Sequence, residues 1–249
     1  HHERDFLGID AHDRILQFTP YYFDPSVEQI WLSFTTGASL ILIDEEILLG
    51  STVFNFYLKE KKVTHLHSTP SFLERVNFDE LTTLRRVISG GEICKPALAE
   101  RISNKYSFYN KYGPTETTVT FTIHTVLKDD NLESKVSIGR PIANTQGYIL
   151  DAKMNLLPLG VKGELYIGGK GLSLGYLNRL DLTQERFIAN PFGFGLLYKT
   201  GDLAKWLPDG TIDYLGRNDN QIKLRGYRIE LGEIESQLQA IDSVTQALV

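Results

Sequence analysis

Tyr109 to Thr118 read Tyr-Asn-Lys-Tyr-Gly-Pro-Thr-Glu-Thr-Thr, a stretch that sets one carboxylate, Glu116, among hydroxyls just past a Gly-Pro turn. The β-prone run from Tyr106 to Tyr109 leads into that turn. The polar groups are therefore predicted on a loop at a strand end, where open α/β sheets place ligands. A carboxylate beside hydroxyl donors suits a phosphate held through Mg²⁺, because the hard ion takes oxygen ligands and bridges to the anion. Taken alone, the block also reads as an ordinary loop. Two further spots could carry chemistry. Gly90-Gly91 closes another β-prone run and lets backbone approach a ligand, or simply makes a tight turn. Thr200-Gly201 is predicted to turn the chain and display the carboxylate of Asp202, an acceptor-only group.

The elements that must position these groups follow from periodicity. Helices are predicted over Val27 to Phe34, Leu48 to Lys61, Phe72 to Val76 and Pro96 to Ile102. Strands are predicted over Ser39 to Asp44, Val63 to His67, Arg86 to Ser89 and Tyr106 to Tyr109. That alternation implies βαβ units and a largely parallel sheet with flanking helices. Beyond Val136 the pattern changes to short β-prone runs (Gln146 to Leu150, Glu164 to Ile167, Thr211 to Tyr214) separated by turn residues, with Pro208-Asp209-Gly210 a hairpin signal. An amphipathic helix over Glu230 to Leu238 closes the pattern. The fold class is thus α/β over residues 1–135, a small antiparallel barrel-like unit over 136–216, and the start of an α+β unit over 217–249.

The chain has 249 residues, 42% hydrophobic and 23% charged, with a net charge of −5, values ordinary for a globular protein. Its scattered Lys and Arg give no electrostatic case for nucleic acid. A single cysteine, Cys94, excludes an internal disulfide and a cysteine-rich zinc site, and fits a reducing compartment. The sequence holds no apolar run of transmembrane length, and its first residues lack a signal peptide's apolar core. The expectation is a cytoplasmic protein without membrane or nucleic-acid partners.

Six ordered blocks carry a resemblance. They are Phe23-Asp24-Pro25-Ser26, Asn110 to Glu116, Gly139-Arg140-Pro141-Ile142-Ala143-Asn144-Thr145, Gly163 to Gly169, Tyr198-Lys199-Thr200-Gly201-Asp202-Leu203, and Gly216 to Gly226. Together they span nearly the whole chain. The sequence resembles the adenylation domain of non-ribosomal peptide synthetases, within the adenylate-forming superfamily that includes acyl-CoA synthetases and luciferases. Such domains also carry a phosphate loop upstream and a catalytic lysine downstream of the stretch matched here, so the chain reads as part of a longer enzyme. Two positions depart from the usual pattern, Leu174 and Lys199 standing where arginine is common. Neither falls among the nucleotide-site residues.

The resemblance implies ATP-dependent activation of an amino acid as its aminoacyl-AMP, then transfer to the phosphopantetheine thiol of a peptidyl carrier domain, with a condensation or cyclisation domain nearby. It implies that Glu116 holds Mg²⁺, that Thr115 contacts the α-phosphate, and that Tyr112 stacks on adenine. By the same carry-over, Gly90 and Gly91 face the purine, Asp202 and Arg217 hold the ribose or phosphate, and Asp219 is the hinge of the C-terminal unit. Lys223 and Arg225 fall in the loop that would face the pantetheine channel.

The resemblance further implies that Asp24 pairs with a substrate α-ammonium, with Pro25, Glu28, His67, Ile88, Gly90, Lys111, Val119 and Thr120 forming the side-chain pocket. Burying Glu28 or Lys111 unpaired costs several kcal/mol. Either the two neutralise each other around a small polar substrate, or Glu28 receives a basic one. Two other functions remain open at this level: an acyl- or aryl-CoA ligase, against which Asp24 argues, and a degenerate non-catalytic nucleotide-binding module.

Overall fold

The structure is a computed structural model and describes residues 2–128, 130, 132, 135–219, 221–224 and 226–249. The first part alternates as the periodicity implies: α1 (His2–Leu7), β1 (Arg14–Gln17), α2 (Pro25–Thr36), β2 (Ser39–Leu42), α3 (Glu45–Leu49), α4 (Ser51–Glu60), β3 (His65–Ser68), α5 (Pro70–Leu73), β4 (Arg86–Gly90), α6 (Pro96–Ser103) and β5 (Ser107–Tyr112). Two more strands, β6 (Thr122–Val126) and β7 (Arg140–Pro141), complete it.

Local chemistry sets several boundaries. α2 opens on Pro25, whose missing N–H is harmless in a first turn, and closes on Gly37 in the left-handed region at φ 75°. The single helix expected over Leu48 to Lys61 is corrected to α3 and α4, because Gly50 sits extended between them at φ −111°, ψ 117°. Glycine is a poor helix former, so the break falls there. β5 continues past the expected Tyr109 to Tyr112, so Asn110, Lys111 and Tyr112 are strand residues with fixed facing.

Among the described residues the first sheet has seven strands in the order β2-β1-β3-β4-β5-β6-β7. The strands up to β5 pair in parallel, and β6 and β7 add antiparallel to the edge. Leu66, Val87 and Phe108 point to one face, against Phe54, Leu58 and Ile102 of the helical layer. Ile88 and Tyr109 point to the other, against Leu7 of α1 and Leu32 of α2. Both faces are covered, as parallel sheets require. Alternation then puts His65, His67, Gly90 and Lys111 on the α1–α2 side, since His67 registers with Ile88 and Gly90 with Lys111.

The second part holds β8 (Thr145–Leu150), β9 (Gly163–Gly169), α7 (Leu180–Arg186), β10 (Phe187–Ala189), β11 (Leu196–Trp206) and β12 (Ile212–Arg217). Its sheet is antiparallel and bent. The first half of β11 lies between β10 and β9, the second half between β9 and β12, with the register shifting between Lys199 and Leu203. Gly201, at φ 74°, takes the bend. The hairpin turn at Pro208-Asp209-Gly210 joins β11 to β12, with Gly210 N–H donating to the Leu207 carbonyl at 2.9 Å. A cluster of Phe121, Ile149, Leu165, Ile167 and Ile212 packs this sheet against Tyr112 of β5. The chain then forms the hairpin β13 (Gln221–Leu224) and β14 (Tyr227–Glu230), and α8 (Leu231–Gln239). Among the described residues no helix is long and apolar enough to cross a membrane.

Candidate active site

The C-terminal ends of β3, β4 and β5 open onto a cavity of about 250 Å³. Asp24, Pro25, His67, Gly90, Gly91, Lys111, Tyr112, Thr115, Val119, Thr120, Asp202 and Arg217 all line it. Residues spread from 24 to 217 thus converge on one space. Ile88 is fully buried in the core beneath, Glu28 lies behind Lys111 and Thr120, and Asp219 borders an adjoining cavity of about 560 Å³. Arg225 and the side chain of Lys223 lie outside the described residues.

The loop after β5 is held tightly. A Cβ on Gly113 would stand 2.3 Å from the Val119 carbonyl oxygen, so only glycine fits that approach. Thr118 and Val119 have φ of 62° and 68°. For a β-branched residue this is a backbone outlier that costs of order 1–3 kcal/mol, and such strain concentrates at ligand sites. Thr115 to Thr117 form a 3-10 turn that buries Glu116, whose Oε1 accepts from Tyr176 Oη at 2.6 Å.

At one end of the cavity Asp202 is corrected from a displayed turn residue to a buried strand residue, 2% exposed within β11. The cause is the pairing of β11 with β12, which sets Asp202 opposite Arg217. Its Oδ1 accepts from Arg217 Nη1 at 2.8 Å and from Tyr214 Oη at 3.4 Å, and its Oδ2 accepts from Tyr112 Oη. Burial and the Asp202 charge push both phenols above the ordinary tyrosine range. Arg217 also forks onto Asp219, with Nε and Nη2 each 2.6 Å from a carboxylate oxygen.

Asp24, which also lines the cavity, precedes α2. Burial raises its pKa above the usual aspartate value, opposed by a hydrogen bond from Thr115, while the charges of Glu116 and Glu28 raise it further. Deeper in, Lys111 Nζ donates to Glu28 Oε1 and, at 2.7 Å, to Glu3 Oε2. Thr120 Oγ1 donates to Glu28 Oε2 at 2.9 Å, and His67 Nδ1 lies 3.6 Å from Glu28 Oε1. Burial alone would raise the Glu28 pKa, but Lys111 and His67 hold it well below the carboxylate range. Burial and the Glu28 charge instead push Glu3 up to about 7, against the pull of Lys111. Gly90 keeps this floor open, since a Cβ there would meet His67 Nε2 at 3.2 Å.

Three residues here are ones that sequence reasoning missed. Asn110 borders the larger cavity beside Gly91 and Tyr112. Its Nδ2 donates to the Ser137 carbonyl at 2.9 Å, and its buried Oδ1 has no hydrogen-bond partner among the described residues. It lies inside the matched block, so the motif was its signal. Tyr214 and Glu3 had none, being joined to their partners only through the fold.

An open α/β sheet with a cavity at its strand ends, lined by the buried carboxylate of Asp202 and by a strained hydroxyl loop, has the arrangement in which proteins of this class bind small ligands. The chain belongs to the AMP-binding enzyme family, whose model matches residues 2–177. It is 43% identical to tyrocidine synthase 1 of Brevibacillus parabrevis over 98% of its own length and 22% of that protein's. Its fold matches the Vibrio cholerae adenylation domain AlmE, solved with glycyl-adenosine-5'-phosphate, at a TM-score of 0.89 and 28% identity, covering 98% of this chain and 47% of that one. A second solved structure is a holo peptide-synthetase protein with adenylation and PCP domains bound to a vinylsulfonamide inhibitor. It matches at a TM-score of 0.87 and 30% identity, covering 96% and 43%. The chain thus spans a small part of tyrocidine synthase 1 and less than half of each solved chain.

Proposed function

We propose that the enzyme containing this chain joins an amino acid to ATP as the aminoacyl-AMP, releases pyrophosphate, and passes the aminoacyl group to the phosphopantetheine thiol of a peptidyl carrier domain. The observation that carries this reading is that Asp24, Thr115 and Asp202 line one cavity. An acceptor for an α-ammonium, a hydroxyl for a phosphate and an acceptor for a ribose follow in that order. Asp24 is what favours an amino acid over the fatty or aryl acid of a CoA ligase.

In this reading Asp202 accepts hydrogen bonds from the ribose hydroxyls while Arg217 and Tyr112 orient its carboxylate. Asn110 offers its carbonyl oxygen to the exocyclic amine of adenine, and Tyr112 and Gly91 flank the ring. Thr115 donates to the α-phosphate, where charge builds as the carboxylate attacks. Among the described residues no cluster of three His, Cys, Asp or Glu side chains forms a metal cage. A single carboxylate, Glu116, beside a hydroxyl loop fits Mg²⁺, which binds through one or two carboxylates plus substrate phosphates. Bound there, Mg²⁺ would neutralise phosphate charge. Asp219, between β12 and β13, is the hinge about which the C-terminal unit from 217 onward moves.

Lys111 and Glu28 are already paired and Thr120 and His67 add hydrogen-bonding capacity, which favours a small, neutral, hydroxyl-bearing amino acid. A basic substrate is the second reading, favoured by two carboxylates meeting one ammonium on the floor. The natural setting is a cytoplasmic multidomain synthetase with condensation or cyclisation domains in the same chain. Amino-acid-dependent pyrophosphate exchange over a full panel, on the intact enzyme and on Glu116→Gln, tests the proposal. Exchange with a polar amino acid that falls by orders of magnitude in a folded Glu116→Gln protein is expected. Exchange with no amino acid, or near-normal exchange in the variant, goes against it.

A further inference from the structure

The floor of the amino-acid pocket carries one carboxylate more than its ammonium requires. Glu28 alone balances Lys111, and it is anchored by Thr120 at 2.9 Å. Glu3 nevertheless reaches the same ammonium at 2.7 Å from a different element, and the two side chains are 15% and 3% exposed. Burying a second carboxylate on an already paired lysine costs desolvation that simple neutrality does not return. The upward shift of Glu3 reflects that cost.

The placement of Glu3 is enforced by the fold. Glu3 and Leu7 are four residues apart on α1 and so share a helix face, and Leu7 is buried against the sheet. The end of that helix is tied down by Arg86 of β4, whose Nε donates to the Leu7 carbonyl at 2.5 Å and whose Nη2 donates to the Gly8 carbonyl. Arg86 is itself held by the fully buried Asp13 at 2.8 Å. α1 therefore cannot roll away from β5 without breaking the hydrogen bonds that a held Arg86 makes to its C-terminal end.

An ammonium has three N–H groups. Glu28 takes one and Glu3 a second, on a lysine that also lines the cavity. We propose that Glu3 is a selectivity residue for the amino-acid side chain: it draws Lys111 back between two carboxylates and so denies the pocket a counter-ion for acidic substrates. This rests on the adenylation reading above. With Glu3 in place an incoming carboxylate meets an ammonium already shared, with the Glu28 charge and the partly ionised Glu3 carboxyl behind it. A neutral hydroxyl loses nothing there, since Thr120, His67 and the remaining N–H of Lys111 can bond it. Without Glu3, the pair Lys111–Glu28 is neutral, and the lysine can turn one more donor to the substrate.

The test is pyrophosphate exchange on the intact enzyme with serine, threonine, aspartate and glutamate, comparing the parent with Glu3→Gln, Glu3→Asp and Glu3→Gln/Lys111→Met, each checked for folding by circular dichroism. The parent is expected to favour the hydroxyl amino acids. Glu3→Gln should raise the ratio of acidic to hydroxyl kcat/KM by about tenfold or more, mainly through a lower KM for the acid. Glu3→Asp, too short to hold the ammonium, should move the same way by less, and the double variant should lose the gain. An unchanged ratio in folded Glu3→Gln, or a gain that persists without Lys111, overturns the proposal. A parent that already prefers aspartate or glutamate overturns it without any variant, while leaving adenylation standing. Exchange with no amino acid at all would instead sink the adenylation reading itself.

Discussion

Tyr112 and Asp202, ninety residues apart in the chain, are joined by a hydrogen bond from the phenol to carboxylate Oδ2. The bond ties the last residue of β5 to the middle of β11 and so couples the two sheets across the cavity. Arg217 and Tyr214 converge on the other oxygen, so one carboxylate organises three side chains.

Replacing that carboxylate should therefore affect binding and packing together. Asp202→Ala is expected to weaken ATP binding by about 1.5–3 kcal/mol, the scale for hydrogen bonds to a charged group. It should also destabilise the domain, because the buried Arg217 guanidinium loses a carboxylate partner. Titration calorimetry with ATP and thermal unfolding read the two effects separately. Equal use of ATP and 2′-deoxy-ATP by the parent would remove the 2′-hydroxyl from the assignment.

Asp219 is gripped by Nε and Nη2 along one edge of the Arg217 guanidinium and also accepts from Gln221 N–H at 3.2 Å. Asp219→Pro fixes φ near about −65° at the proposed hinge. Adenylate formation, read by pyrophosphate exchange, should persist while aminoacyl loading of the carrier thiol collapses. Parallel loss of both half-reactions would show that the residue is not a hinge.

His65 is fully buried beside Lys111 and Arg86, and neither ring nitrogen has a hydrogen-bond partner among the described residues. Burial, with the nearby Lys111 charge, lowers its pKa to about 3. The unfolded chain takes up this proton near pH 6.5 and the folded chain does not, so stability falls as pH drops through 6.5 toward 3. Between pH 7.5 and 5 the loss from this one group is about 2 kcal/mol. His65→Leu, similar in volume and with nothing to titrate, should be less sensitive to acid than the parent. Urea unfolding of this domain at the two pH values decides it, and identical pH dependence in the two proteins is the contrary result.

Much of the architecture was legible in the sequence because it is local. A short β-prone run marks β4, a period of three to four residues marks α2 and α6, and Pro208-Asp209-Gly210 marks the hairpin it makes. The ordered blocks likewise indicated the family to which residues 2–177 match. Boundaries that depend on one backbone choice were less legible, as at Gly50, where a helical pattern continues across a residue that takes an extended conformation.

The site was only half legible, and the division has a physical cause. Motifs name Asp202, Lys111 and Glu28, but whether each is displayed, paired or hidden depends on contacts between distant segments. Only the pairing of β11 with β12 buries Asp202 against Arg217. Only the seating of α1 on the sheet brings Glu3 to Lys111, across 108 positions of sequence. Such charges have no local periodicity to announce them; burial and a neighbour supplied by the tertiary fold determine what they do.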